Sequence, residues 1–142
     1  MKKRRGTAQW KGGIRDGEGT LSTTSGALEG TPYGFADRFE DGPRTNPEEL
    51  IGAAHAGCYA MALAGQLGKA GMTAERIDVT AVVTLEEQGE GFAITAVHLD
   101  LRAKVPDADR EAFMEAANGA KDGCPVSKLL NAEITLDAKL ES

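Results

Sequence analysis

The stretch Asn46–Leu63, NPEELIGAAHAGCYAMAL, decides the fold. Asn46 offers a capping oxygen, Pro47 takes the first helical position, and Glu49 stands where a capping box places its acid. The spacing predicts a helix from about 46 to 69, closed before Gly71 and roughly 36 Å long at about 1.5 Å per residue. From Leu50 through Gly68 no side chain is formally charged, so small and apolar residues cover every face. A helix apolar all round belongs in a core or in a membrane. Gly52, Gly57, Gly65, Gly68, His55 and Gln66 dilute its hydrophobicity and no aromatic belt flanks it, which favours the core. A chain of this size has little material to surround such a helix, and a second copy of the protein is expected to cover part of it.

Outward from that helix, TAQWKG, EGTLSTTS and YGFADRFE are short runs separated by turn formers, read as a small antiparallel sheet over about 7–40. Asp41–Thr45 is a polar connector. On the other side, IDVTAVVTL and FAITAVHLDLRAKV flank the polar tip EEQGEG and predict a hairpin, with Val97, Leu99, Leu101, Ala103 and Val105 on one face. Pro106 and Asp107 are expected to open a helix that runs to about Lys121 and buries Phe113, Met114, Ala117 and Ala120. A short helix PVSKLL follows Cys124, and Ile134, Leu136, Ala138 and Leu140 alternate as the inner face of a closing strand. The fold class is α+β. One domain over 1–142 is expected: N-terminal sheet about 7–40, central helix about 46–69, and hairpin, helices and strand about 77–140.

The 142 residues carry a formal net charge of -6, against nucleic acid as the main partner, because phosphate binding needs a basic face. The opening MKKRR reads as a solvated tail, with no apolar segment behind it to make a secretory signal. A cytoplasmic location is expected. In a reducing compartment two cysteines point to catalysis, redox chemistry or metal binding rather than to a permanent staple.

Cys58 and Cys124 have different settings. Cys124 precedes Pro125 at a helix N-cap, where unpaired amides favour an anion, whereas Cys58 sits mid-helix among apolar residues that disfavour one. By local chemistry Cys124 is the better thiolate. His55 precedes Cys58 by three residues on the same helical face, which fits a Cys and His pair or, with Cys124 and His98, a zinc site; neither has the spacing of a recognised motif, and a capped or satisfied core histidine is the favoured reading of both. Glu48 and Glu49 complement the helix dipole. Glu48 and Cys58 are about 15 Å apart along a straight helix, so any shared role needs a partner subunit or an intermediary. Arg38 and Arg44 are the nearby cations, each also readable as a solvated surface charge.

Taken together, GEGTLST, PYGFADRFE, TNPEELIGAAHAGCYAMAL, GCPVSKLL and AEITLD resemble the OsmC/Ohr family, the osmotically inducible protein C and organic hydroperoxide resistance proteins, and within it the OsmC branch. The resemblance implies antiparallel sheets packed around a long buried central helix in an intertwined homodimer, with active sites at the subunit interface. It implies a thiol peroxidase of oxidative or osmotic stress defence that reduces organic hydroperoxides, and hydrogen peroxide as a second candidate, to alcohols or water. On the family pattern Cys58 is the peroxidatic nucleophile, Cys124 the resolving thiol that closes a disulfide with it, Arg38 the cation and Glu48 its holder. That order reverses the local ranking of the thiols, and Arg38 then supplies the charge Cys58 lacks. No metal or organic cofactor is implied; an external dithiol, such as a lipoylated protein, reopens the disulfide. Tyr33, Phe35, Ala54 and Met61 are expected as an apolar wall for the substrate's carbon tail. The rival reading is a zinc-binding or non-catalytic stress-related binding protein. Neither nucleic acid nor membrane is expected as a partner.

Overall fold

Short alternating runs near the start of the chain build three strands, β1 (Gly6–Lys11), β2 (Glu18–Thr23) and β3 (Thr31–Tyr33), paired antiparallel in the order β1-β2-β3. This computed structural model describes residues 1–141, and the chain divides within it into two units, Met1–Leu50 and one beginning at Ile51. In the first unit Gly19 is buried opposite Tyr33, and a Cβ there would stand 2.5 Å from the Tyr33 ring and 2.6 Å from Trp10. The missing side chain lets those rings meet edge to face at 5.5 Å. Sequence reading placed YGFADRFE in the sheet; the strand ends at Tyr33, and Phe35–Phe39 is a single helical turn, α1. The turn is fixed by side chains four apart, with the Phe35 and Phe39 rings 4.9 Å from each other.

The long helix α2 (Pro47–Lys69) has the predicted bounds and crosses the division between units. Its N-terminus is capped by Asn46, whose side-chain oxygen accepts from the Glu49 amide at 2.8 Å. The Glu49 carboxylate accepts from the Thr45 hydroxyl, also at 2.8 Å.

In the second unit β4 (Arg76–Gln88) and β5 (Gly91–Lys104) form the expected hairpin, with an irregularity at Thr84/Leu85. The expected sheets were antiparallel, but β6 (Glu133–Glu141) lies parallel to β5, so this sheet is mixed. The reason is the connection: α3 (Arg110–Gly123) and α4 (Pro125–Leu129) carry the chain back to the starting end of β5 before β6 begins. Helix α3 starts at Arg110, not at Pro106, because Asp109 is its cap and accepts from the Ala112 amide at 3.0 Å, while Asp107 turns into the left-handed region at φ 59. The inward residues of β5 named above are buried with Phe113, Ala117 and Ala120, and Tyr59, Leu63 and Leu67 of α2 join them in one core. Gly52 lets α2 come close to β4, since a Cβ there would be 3.2 Å from the Ala81 carbonyl oxygen.

Burial all round α2 does not hold within one chain. His55, Tyr59, Leu63 and Leu67 face the core, while Ala53, Ala54, Gly57, Met61, Ala64 and Gly68 form an exposed stripe. By length and composition alone α2 would also cross a membrane.

Candidate functional site

The four residues singled out from the sequence fall into two pairs, one in each unit. In the first, α1 presents Arg38, whose Nε donates to Glu48 Oε1 at 2.8 Å. Glu48 is nearly buried, in the first turn of α2, and its second oxygen has no hydrogen-bonding partner among the described residues. Because the arginine binds through Nε, the terminal nitrogens of the guanidinium fork are not used by this pair. Arg38 borders a cavity of about 210 Å³ lined also by Trp10, Ile14, Tyr33, Phe35 and Phe39. Tyr33 and Phe35 of the expected wall are therefore found beside the cation. Met61 instead lines a groove of the second unit with Ala60, Met72 and Ile77, and Ala54 is exposed on the α2 stripe.

Arg44 is more than a solvated charge. It donates from its backbone amide (2.9 Å) and from Nε (3.0 Å) to the carboxylate of Asp37, a nearly buried residue that sequence reading passed over. Burial pushes the Asp37 carboxyl up, but the amide, charge and side chain of Arg44 outweigh it and hold the group below its ordinary value. The Asn46 side chain donates to the Asp37 carbonyl at 3.0 Å. Asp37, Arg44 and Asn46 thus tie the loop between α1 and α2 in place and set where Arg38 stands.

In the second unit α2 carries Cys58 and the N-cap of α4 carries Cys124, both as free thiols with their sulfurs 2.8 Å apart. Spacing in sequence gave no sign that they meet. Cys124 is wholly buried and Cys58 partly so. Burial pushes the Cys58 thiol up, and the hydrogen bond and charge of Cys124 push it further, against one backbone amide from Val126. Burial also works against a Cys124 thiolate, yet the Cys58 thiol, the Ser127 amide and hydroxyl, and the Val126 amide together bring it down. The local ranking from sequence is reproduced: within this unit Cys124 is the more acidic of the two thiols.

His55 is completely buried on α2 and hydrogen-bonds through Nε2 to the Ser127 hydroxyl at 2.7 Å. Desolvation lowers its basicity and keeps it neutral. His98 is exposed on β5 and pairs with the Thr135 hydroxyl at 2.6 Å. The zinc set of Cys58, Cys124, His55 and His98 is not assembled, and no three potential metal ligands gather among the described residues. Ser127 escaped sequence reading; only its place in CPVS, three residues after the cysteine, would have pointed to it.

A long helix bearing one thiol, packed on a mixed sheet and meeting a second thiol at a helix cap, defines an α+β protein built around a cysteine pair. Residues 40–139 match the family described as OsmC-like protein, and the chain belongs to it. It is 52% identical over 139 residues to "Peroxiredoxin OsmC" of Escherichia coli (strain K12), covering 98% of this chain and 97% of that one. It is 31% identical over 97 residues to "Organic hydroperoxide resistance protein OhrB" of Bacillus subtilis (strain 168), covering 68% of each. Among solved structures, the OsmC-like protein from Mycoplasma pneumoniae shares the fold at a TM-score of 0.77 and 14% identity, over 99% of both chains.

Proposed function

We propose that the protein is a cysteine-based peroxidase that reduces organic hydroperoxides to alcohols, acting in the cytoplasm as a homodimer in stress defence. The observation that carries this reading is the thiol pair, a partly buried Cys58 with its sulfur 2.8 Å from that of a buried Cys124. Burial alone leaves Cys58 protonated, so it needs a cation. We assign that role to Arg38, held by Glu48 through Nε beside an aromatic cavity that suits a carbon tail. The charge of the pair then moves to Cys58, and the proton to Cys124. The Cys58 thiolate attacks one peroxide oxygen, the O–O bond breaks, and the alkoxide leaves, taking a proton to become the alcohol. Cys58 is now a sulfenic acid, which Cys124 converts to a disulfide. An external dithiol, a lipoylated protein being the candidate class, returns both thiols. Hydrogen peroxide is the candidate second substrate.

The exposed stripe of α2 supports the dimer: small residues around Met61 form an apolar face suited to close approach by a second helix. Met61→Lys is expected to convert a dimer to a monomer in sedimentation; a wild-type monomer excludes this part of the reading. For activity, consumption of cumene hydroperoxide in the presence of a dithiol is the test. Turnover abolished by Cys58→Ser supports the peroxidase, whereas no turnover in the wild type, or full turnover in the variant, sinks it. Stoichiometric zinc in freshly purified protein would favour the binding-protein alternative.

A further inference from the structure

The peroxidase cycle gives no work to His55, yet this imidazole is wholly buried, lies one turn before Cys58 and reaches Ser127, whose hydroxyl and amide both face the Cys124 sulfur. Its Nδ1 has no hydrogen-bonding partner among the described residues. A proton on Nδ1 would be an orphan donor in the core, which is dearer than a bare lone pair, so the neutral ring carries its proton on Nε2. Nε2–H then donates to Ser127 Oγ and occupies an acceptor position of the hydroxyl. The hydroxyl proton is left to point at Cys124.

We propose that His55 and Ser127 are positioning residues for the second half of the reaction: the buried imidazole aims the Ser127 hydroxyl at Cys124 Sγ, which thereby holds the negative charge and attacks Cys58 once that residue is a sulfenic acid. This rests on the peroxidase reading and deepens it. In the first half, Cys124 holds the proton released when the charge moves to Cys58, and that proton goes to the departing alkoxide. Cys124 is then a thiolate that Ser127 stabilises. In the second half Cys124 S⁻ attacks Cys58 Sγ; an S–S bond forms, the S–O bond breaks, and its electron pair leaves with hydroxide, which solvent protonates. Cys124 is oxidised from thiolate to disulfide, and the Cys58 sulfenic acid is reduced to the same bond. On reductive opening, the same hydroxyl stabilises Cys124 as the leaving thiolate.

The size of the effect follows from one hydrogen bond to an ionised group, which corresponds to about ten- to a hundredfold in thiolate population. A more basic thiolate is also more nucleophilic, and that compensates about half of the change in the exponent, leaving a rate loss of about three- to tenfold. The groups that titrate against Cys124 are Cys58 and Tyr59 of α2, with His55 acting through Ser127.

The test is single-turnover kinetics with cumene hydroperoxide, sulfenic acid formation being followed by trapping and disulfide formation by loss of free thiols. Ser127→Ala is expected to slow the second phase by about three- to tenfold while the first proceeds at the wild-type rate or faster, because before the attack Cys124 then competes less well with Cys58 for the negative charge. Ser127→Thr keeps the hydroxyl and should restore the second phase; His55→Gln, which keeps an N–H near Nε2, should behave like wild type, and His55→Leu like Ser127→Ala. An unchanged second phase in Ser127→Ala, or both phases slowed alike in the Ala and Thr variants, overturns the assignment. A companion measurement needs no peroxide: thiolate absorbance of Cys124 in a Cys58→Ser background should titrate at lower pH with Ser127 than with Ser127→Ala. A wild-type protein that forms no sulfenic acid defeats the peroxidase reading, and the absorbance titration still decides whether Ser127 holds the Cys124 charge.

Discussion

The Arg38–Glu48 pair makes an asymmetric prediction. The Glu48 side chain is 10% exposed and that of Arg38 39%, so the two partners lose unequally when the bond is cut. Arg38→Met strands a nearly buried carboxylate whose other oxygen is already unpartnered among the described residues. Losing one partner costs about 3–5 kcal/mol for a fully buried pair and at most about 1 kcal/mol for an exposed one; this pair lies between, at about 2–3 kcal/mol. Glu48→Gln leaves a guanidinium that water reaches, with a neutral amide in the recess, and should cost only about 0.5–1 kcal/mol. With a urea dependence of about 2 kcal/mol/M, the two unfolding midpoints should differ by close to about 1 M at equal chain concentration. Adding Glu48→Gln to Arg38→Met should recover most of the lost stability, since no charge is then stranded. Activity should not follow stability. Glu48→Gln releases the arginine from a charge-assisted bond and is expected to slow sulfenic acid formation by at least about tenfold, and the double variant stays inactive. Equal midpoints, a larger loss for Glu48→Gln than for Arg38→Met, or an unchanged first phase in Glu48→Gln would refute the reasoning that Glu48 is a buried anion whose task is to aim Arg38.

Three further outcomes are expected. Cys124→Ser should give one equivalent of alcohol and a sulfenic acid detectable by trapping, and sustained turnover with dithiols would remove its resolving role. Asp37 has a folded-state value below the ordinary one near about 4, so its contribution to stability should be complete above that pH and lost as the pH falls through the depressed value; denaturant midpoints that fall over that acid range less steeply in Asp37→Asn than in wild type will show it, and parallel profiles will not. Tyr59, wholly buried, donates to the Ala117 carbonyl at 2.9 Å, so Tyr59→Phe should lower stability by about 1–2 kcal/mol through the orphaned carbonyl, read as a shift in thermal midpoint.

Local chemistry was legible in the sequence wherever neighbours along the chain decide the outcome. Asn46 and Pro47 fixed the start of α2, the alternation through Val97 and Val105 fixed the inner face of β5, and Cys124 before Pro125 already announced the better local thiolate. Two errors had the same origin. Phe35 and Phe39 act as a helical pair only because their rings meet, and Asp109 outcompetes Asp107 as a cap through a turn that alternation does not register. The parallel placement of β6 came from α3 and α4 carrying the chain back along the sheet, a matter of topology rather than composition.

Residue types and local capping by themselves determined that this chain forms one long apolar helix with a thiol in it, a hairpin, and a second thiol at a helix start. Only the tertiary structure decided that the sulfurs meet, that Arg38 grips Glu48 through Nε, that Asp37 anchors the loop, and that a buried histidine reaches a serine beside Cys124. The physical reason is one of range. Hydrogen bonds and caps within a turn or two are encoded by spacing, whereas the charge a thiol can hold depends on groups that only packing brings within a few ångströms.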